Sequence, residues 1–179
     1  MIIKVTTDIT LTPYLKKDKP DLVRYINHPD ISNNTLTIPY PYKKKDADVF
    51  FNMIQEKEKQ TGKIWNWVIR NKENNLIGSI GLLGSEFLGN PHRDAFGYWI
   101  GKEFRGKGMM SKVVKSFSDY CLNERGIVRL EANVFSHNQA SMRVLEKTGF
   151  EREGYLKKVY LKNGKYLDSV LFAKTKRFD

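Results

Sequence analysis

Apolar residues recur along this chain at two periods, and the switches between them mark out its elements. Residues 9–15 alternate apolar with polar and read as a half-buried first strand, with Pro13 suited to a peripheral place. Residues 18–27 gather Leu22, Val23 and Ile26 on one helical face. Asp18 is expected as its N-cap, Pro20 fits the first turn, and His28-Pro29 stops it. Residues 33–45 read as a connecting loop. Asp46 is expected to cap a second helix over 47–60, with Val49, Phe50, Met53 and Ile54 inward and Gly62 at its end. Residues 64–70 and 76–83 alternate as two strands joined at Asn74-Asn75. A loop over 84–94 leads to a strand at 95–101, with Phe96, Tyr98 and Ile100 on one face and Gly97 and Trp99 on the other.

The period then becomes helical. Met110, Val113, Val114, Phe117 and Cys121 form one apolar stripe, predicting a helix to about Glu124, with Gly126 as its cap. Residues 129–135 form a strand with Leu130, Ala132 and Val134 to one side. A last helix opens at His137 or Asn138 and ends at Gly149. Two strands, 151–161 and 165–174, meet across Asn163-Gly164, a strong hairpin signal. With no repeat, low-complexity tract or linker, the 179 residues predict one α/β domain with its core at about 8–176. The expected sheet is mixed, mostly antiparallel and twisted, with helices on both faces.

Composition changes this picture little. Hydrophobic residues make up 40% and charged residues 28%, as in an ordinary globular chain. The lone Cys121 excludes an internal disulfide and a cysteine-based zinc cluster, and its place on an apolar stripe predicts a buried spectator. No stretch approaches the roughly 18 apolar residues of a membrane span, so a cytoplasmic location without membrane attachment is expected. The formal charge of +11, from 31 basic and 20 acidic residues, favours anionic partners such as a nucleotide, RNA or a ribosomal surface.

The candidate chemistry lies between the strand ending at Ile100 and the helix beginning near Met110. Arg105-Gly106-Lys107-Gly108-Met109-Met110 forms a short glycine loop at a helix N-terminus. The first N–H groups of a helix lack intrahelical partners and sit at the positive end of its dipole, so such a loop suits a phosphate or pyrophosphate. Gly106 and Gly108 let the backbone come close, while Arg105 and Lys107 add charge at the rim. A glycine pair there equally suits a plain tight turn. Neither the Walker spacing nor the dinucleotide fingerprint is present. Arg143 and Lys147, four apart on the last helix, could reach the far end of a nucleotide or remain surface charges.

Arg105-x-x-Gly108-x-Met110 resembles the acetyl-CoA pyrophosphate loop of the GCN5-related N-acetyltransferases (GNAT), whose pattern is Q/R-x-x-G-x-G/A; Met110 stands where that pattern has a small residue. Asn138-x-x-Ser141-x-x-x-x-Glu146-Lys147-x-Gly149-Phe150 resembles the helix and strand that follow in that family. The likeness extends to the branch that acetylates ribosomal-protein N-termini, through Ile38-Pro39-Tyr40-Pro41-Tyr42 and Gly97-Tyr98-Trp99-Ile100. It implies a GNAT fold and an acetyl-CoA-dependent transfer, without a metal, to a primary amine such as a ribosomal protein's N-terminus. A polyamine or antibiotic acceptor, a homodimer, and a non-catalytic RNA-binding module remain open. The resemblance also implies that the strand before the loop splays from its neighbour. The main chain of Tyr98, Trp99 and Ile100 would then pair with the pantetheine arm of the donor. Asn138 would hold that arm or cap its own helix. Ser141 would donate to the departing thiolate. Asp94 and Glu131 are the carboxylate candidates for assisting amine deprotonation, through a water.

Overall fold

A computed structural model describes residues 1–84 and 89–178, and residues 85–88 of the expected 84–94 loop lie outside the described residues. Among the described residues the order is β1 (Ile3–Lys4), β2 (Thr10–Pro13), α1 (Lys19–Ile26), α2 (Pro29–Asn33), α3 (Lys44–Thr61), β3 (Asn66–Arg70) and β4 (Leu76–Leu82). Then come β5 (Arg93–Ile100), α4 (Met109–Asn123), β6 (Arg129–Phe135), α5 (Gln139–Lys147), β7 (Glu151–Lys162) and β8 (Lys165–Thr175). The strands form one sheet in the order β1-β2-β3-β4-β5-β6-β8-β7. Every neighbouring pair is antiparallel except β5 with β6, so the sheet is mixed, as the pattern implied.

Each face of the sheet carries a layer of helices. On one face the α4 stripe of Met110, Val113, Val114, Phe117 and Cys121 packs with Met142 and Leu145 of α5 over Trp67, Ile80, Phe96, Leu130 and Val134. On the other, Leu22 and Ile26 of α1 meet Ala47 and Phe51 of α3 over Val68 and Leu76. Burial of a side chain of that size contributes about 1.5–3 kcal/mol, so these two layers hold the sheet that carries the site.

Several local expectations give way to tertiary contacts. Asp18 occupies the N-cap position of α1 as expected, but its side chain makes no capping bond. Its carboxylate, 3% exposed, accepts two 2.8 Å bonds from the buried Arg70 guanidinium, a pairing that satisfies two charges at once. α1 ends at Ile26, ahead of His28-Pro29 as expected, but Pro29 also opens α2, where His28 is the N-cap and Nδ1 accepts from the Asp30 N–H. In α3 the start is earlier than expected, at Lys44, and Asp46 accepts from the Lys43 N–H as the third residue of a capping box. The inward face of α3 also differs. Ala47, Phe51 and Ile54 are buried, while Val49 and Met53 are 69% and 55% exposed. Packing on α1 and the edge-on contacts of Tyr14 with Phe50 and Phe51 choose that face.

Candidate functional site

The site begins where β5 and β6 part. They pair in register at Arg93, Asp94 and Ala95 against Arg129, Leu130 and Glu131, and no further. β5 remains bonded to β4 as far as Ile100, and β6 remains bonded to β8 as far as Phe135. The facing edges of Phe96–Ile100 and 132–135 are therefore left apart. Five residues of strand make this open edge about 17 Å long. Antiparallel pairing sends the main-chain groups of alternate residues toward alternate neighbours. Leu83 N–H bonds Ala95 O, and Gly101 N–H bonds Ile77 O, so Ala95, Gly97, Trp99 and Gly101 face β4. Phe96, Tyr98 and Ile100 consequently direct their N–H and C=O to the β6 side, where the Phe96 N–H belongs to the last rung with Glu131 and the Ile100 carbonyl is taken by Arg105 Nε. This corrects the expectation for Trp99, whose main chain is committed to β4 and whose ring packs against the second core layer. It also adds Phe96, which only the register could reveal.

At the open end the chain turns into the glycine loop. Phe104 packs edge-on against Tyr25 at 5.4 Å and fixes the short 3-10 turn of Lys102–Phe104 against α1. Gly106 and Gly108 have φ of +77° and +68°, values that side-chain-bearing residues rarely adopt, and Gly108 is the N-cap of α4. Among the described residues, no hydrogen bond engages the N–H groups of Gly106, Gly108, Met109 or Met110. A Cβ at either glycine would meet nothing within 4 Å. The cradle is thus open, with unspent donors at a helix N-terminus. Met110 does not crowd it, because its side chain is buried in the core under α4. The Arg105 guanidinium folds back: Nε donates to Ile100 O at 3.2 Å and Nη1 reaches Asp30 Oδ2 at 3.2 Å. It braces the loop between β5 and α2. Lys107 is exposed at the rim.

Across the cleft stands the first turn of α5. The Asn138 side chain caps it, with Oδ1 accepting from the Ser141 N–H at 3.1 Å. Ser141 Oγ lies 2.7 Å from the Tyr98 hydroxyl, a bond that spans from β5 to α5 over the parted strands. Burial pushes the Tyr98 phenol up to about 12, partly offset by the bond to Ser141, so it keeps its proton at neutral pH. Arg143 and Lys147 are both exposed, on one face of α5.

The two carboxylates lie at the other, closed end. Asp94 is 4% exposed, and Oδ1 accepts from the Gly84 N–H at 2.9 Å and the Ala95 N–H at 2.8 Å. Glu131 sits opposite Ala95, with Oε1 taken by Arg129 at 2.5 Å and Arg93 at 3.5 Å. Four residues separate Asp94 from Tyr98, about 13 Å along the strand. Tyr98, Ser141, Asn138 and the glycine loop are therefore brought together, and Asp94 and Glu131 are not. Cys121 is buried, and desolvation raises its thiol well above the usual range. Among the described residues, no helix is long and apolar enough to cross a membrane.

Comparison with known proteins bears on this geometry. Residues 8–151 match the Acetyltransferase (GNAT) domain family. The probable N-acetyltransferase YjcK of Bacillus subtilis (strain 168) is 37% identical over 102 residues, 56% of this chain and 55% of that protein. The ribosomal protein uS5-alanine N-acetyltransferase of Escherichia coli (strain K12) is 33% identical over 123 residues, 69% of this chain and 63% of that one. The match thus spans only about half to two thirds of these relatives' length. The crystal structure of ribosomal-protein-S5-alanine acetyltransferase from Vibrio fischeri superposes with a TM-score of 0.83 at 20% identity, over 98% of this chain and 96% of that one, a likeness of fold. With parted strands, a glycine cradle at a helix start and a family match over most of its length, this chain belongs to the GNAT acetyltransferase family.

Proposed function

We propose that the chain is an acetyl-CoA-dependent N-acetyltransferase whose acceptor is a primary amine, most specifically the N-terminal α-amine of a protein or peptide such as a ribosomal protein. The observation that carries this reading is the edge of β5 left without a β6 partner beyond Ala95, together with the unspent N–H groups of Gly106 and of Gly108–Met110 at the start of α4. The residues fit the donor molecule: a diphosphate suits the amides of Gly106 and Gly108–Met110, and Lys107 adds positive charge beside them. The main chain of Tyr98, with the Phe96 C=O and the Ile100 N–H beside it, suits an amide-containing arm lying as an added strand. Arg143 and Lys147 suit a terminal phosphate. Asn138 caps α5 through Oδ1, which leaves its amide nitrogen to hold the arm.

When bound, acetyl-CoA supplies an acetyl group activated as a thioester. Main-chain N–H groups of β5 polarise the carbonyl oxygen where negative charge develops. A C–N bond forms, the C–S bond breaks, its electron pair stays on sulfur, and Ser141 donates to the thiolate. The amine loses its proton to water. Asp94 and Glu131, held at the closed end, contribute architecture. An α-amine, with pKa near 8, is neutral in roughly one molecule in ten at pH 7, so it asks little of a base, whereas a lysine near 10.4 asks far more.

The engagement of several acidic side chains by partners of their own supports a peptide amine over a polyamine. Asp30 is paired with Arg105, Glu131 with Arg129 and Arg93, and Glu103 faces Arg24 at 4.0 Å. Asp168 accepts from the Lys158 N–H and the Tyr155 hydroxyl, both at 2.7 Å. A polycation would have to break such pairings. A ribosomal acceptor also places the reaction in the cytoplasm. The test is thiol release from acetyl-CoA with a panel of N-terminal peptides, polyamines and aminoglycosides. Turnover with peptides is expected, and turnover with polyamines alone would overturn the acceptor.

A further inference from the structure

The Tyr98 side chain makes a hydroxyl-to-hydroxyl bond to Ser141 across the cleft. The phenol oxygen lies 2.7 Å from Ser141 Oγ and 3.4 Å from Ser141 O. An O–H···O bond is best at 2.5–3.0 Å, so the second contact is too long to hold the phenol proton well. Two hydroxyls that share one bond have two protons and use one, so one O–H remains for a third partner. Which one is free follows from the surroundings. The Tyr98 ring is half-buried and packs at 5.9 Å against Phe96, which itself makes tilted ring contacts with Phe117 and Phe150, so the phenol is fixed in place. Ser141 is fixed through its own main chain by Asn138. The phenol is the stronger acid of the two and so the better donor. With the phenol O–H directed at Ser141 Oγ, the serine proton is left for a partner other than Tyr98.

We infer that Tyr98 is a positioning residue, whose phenol locks the Ser141 hydroxyl into the orientation that donates to the coenzyme A sulfur as the thiolate departs. This deepens the proposed function and rests on it. It also assigns a job to a side chain which, on the strand pattern alone, would be core. The serine O–H is the donor at the sulfur. The phenol restricts the serine rotor, which would otherwise share its proton among the carbonyls of its own helix turn. Donation by an O–H in a chain polarised by a second O–H is also stronger than donation by a lone hydroxyl. No proton need leave the phenol, whose high pKa keeps it neutral throughout turnover.

The test follows the ultraviolet absorbance of the bound coenzyme A thiolate against pH, with binding measured separately by calorimetry. A hydrogen bond to the charged form favours that form. Coenzyme A bound to the wild type should therefore have a thiolate fraction about tenfold larger, at a pH below its midpoint, than when bound to Tyr98→Phe, one pKa unit being a factor of ten. Ser141→Ala should match Tyr98→Phe, and the double variant should add little to either. In turnover, Tyr98→Phe should lower kcat about tenfold and leave KM for acetyl-CoA within about twofold, since the phenol acts only as charge reaches sulfur. Coenzyme A that binds with the same titration in the wild type and in Tyr98→Phe would overturn this inference and leave the proposed function standing. Absence of coenzyme A binding to the wild type would overturn both. If a thermal melt shows that Tyr98→Phe does not fold, Ser141→Ala, which keeps the ring packing, must show the altered titration; an unaltered one overturns the inference.

Discussion

The two ends of the β5–β6 pair are built from the same two strands and have opposite characters. At the closed end, Arg93, Asp94 and Ala95 lie in register with Arg129, Leu130 and Glu131, and the polar groups there are spent on one another. Arg129 bonds both Glu131 and Glu153, and Asp94 holds the Gly84 and Ala95 amides. At the open end, Tyr98 has no partner on β6, and the first amides of α4 make no bond among the described residues. The difference teaches where to look for chemistry. Charged residues that are satisfied by their neighbours make a hinge point, while a neutral stretch of backbone with unspent donors makes a site. By residue type alone the ranking would be the reverse, because carboxylates draw attention and main-chain amides do not.

The sharpest way to break this contrast is to place a charge in the open end. Gly108→Glu should weaken coenzyme A binding by about 100-fold or more, through repulsion of the diphosphate. The melting temperature should fall only by the amount that the left-handed φ costs, about 1 kcal/mol. Calorimetry and a thermal melt separate the two, and unchanged affinity would remove the phosphates from this loop. The mirror experiment is Asp94→Asn at the closed end. It weakens two bonds from main-chain donors in a buried place and should cost about 1–3 kcal/mol in urea unfolding. Coenzyme A affinity should stay within twofold. A pH–rate profile displaced in this variant would restore Asp94 as the base.

A smaller effect is expected from Arg129→Ala, about 1 kcal/mol or less, because Arg129 and Glu153 are partly in solvent. Its sign with pH is defined. The Arg129 hydrogen bonds hold the Glu153 carboxyl below its ordinary value. A depressed carboxylate stabilises the fold above its unfolded pKa, near 4.3, and that advantage is lost as pH falls through the lower folded value. Wild type and variant should therefore converge in stability below about pH 4, and parallel curves would show that the pairing contributes nothing. The smallest change should come from Arg143→Ala or Lys147→Ala. Each should weaken coenzyme A binding about two- to fivefold at low salt and less at high salt, as for an exposed charge. Insensitivity to salt would mean that neither cation faces a phosphate.

Much of the architecture was readable along the chain, for reasons local to each segment. The α4 stripe is amphipathic because five apolar residues fall on one helical face, and all five are buried. Residues 129–135 became β6 as expected, and Gly62, with φ of +66°, ends α3. The misreadings share one cause. Asp18 is a good cap by type, but Arg70, 52 residues away, offered it a buried bidentate partner. Val49 and Met53 were eligible for the inner face of α3, but Tyr14, α1 and β3 took Phe51 and Ala47 instead. The short helix after His28 was hidden because a proline that follows one helix can also start the next.

The site divides along the same line. The order of residues alone determined the glycine cradle, the helix it opens, and the Asn138–Ser141 turn, because each depends on neighbours within a few positions and on the conformational freedom of glycine. Only the tertiary structure decided that β5 parts from β6 after Ala95, that Phe96 and Tyr98 rather than Trp99 offer their main chain to the cleft, and that the Tyr98 hydroxyl meets Ser141 at 2.7 Å. Those facts depend on strand register and on contacts between residues 43 positions apart. Side-chain type and spacing do not encode which edge of a strand is left unpaired; the packing of α4 and α5 against the whole sheet does.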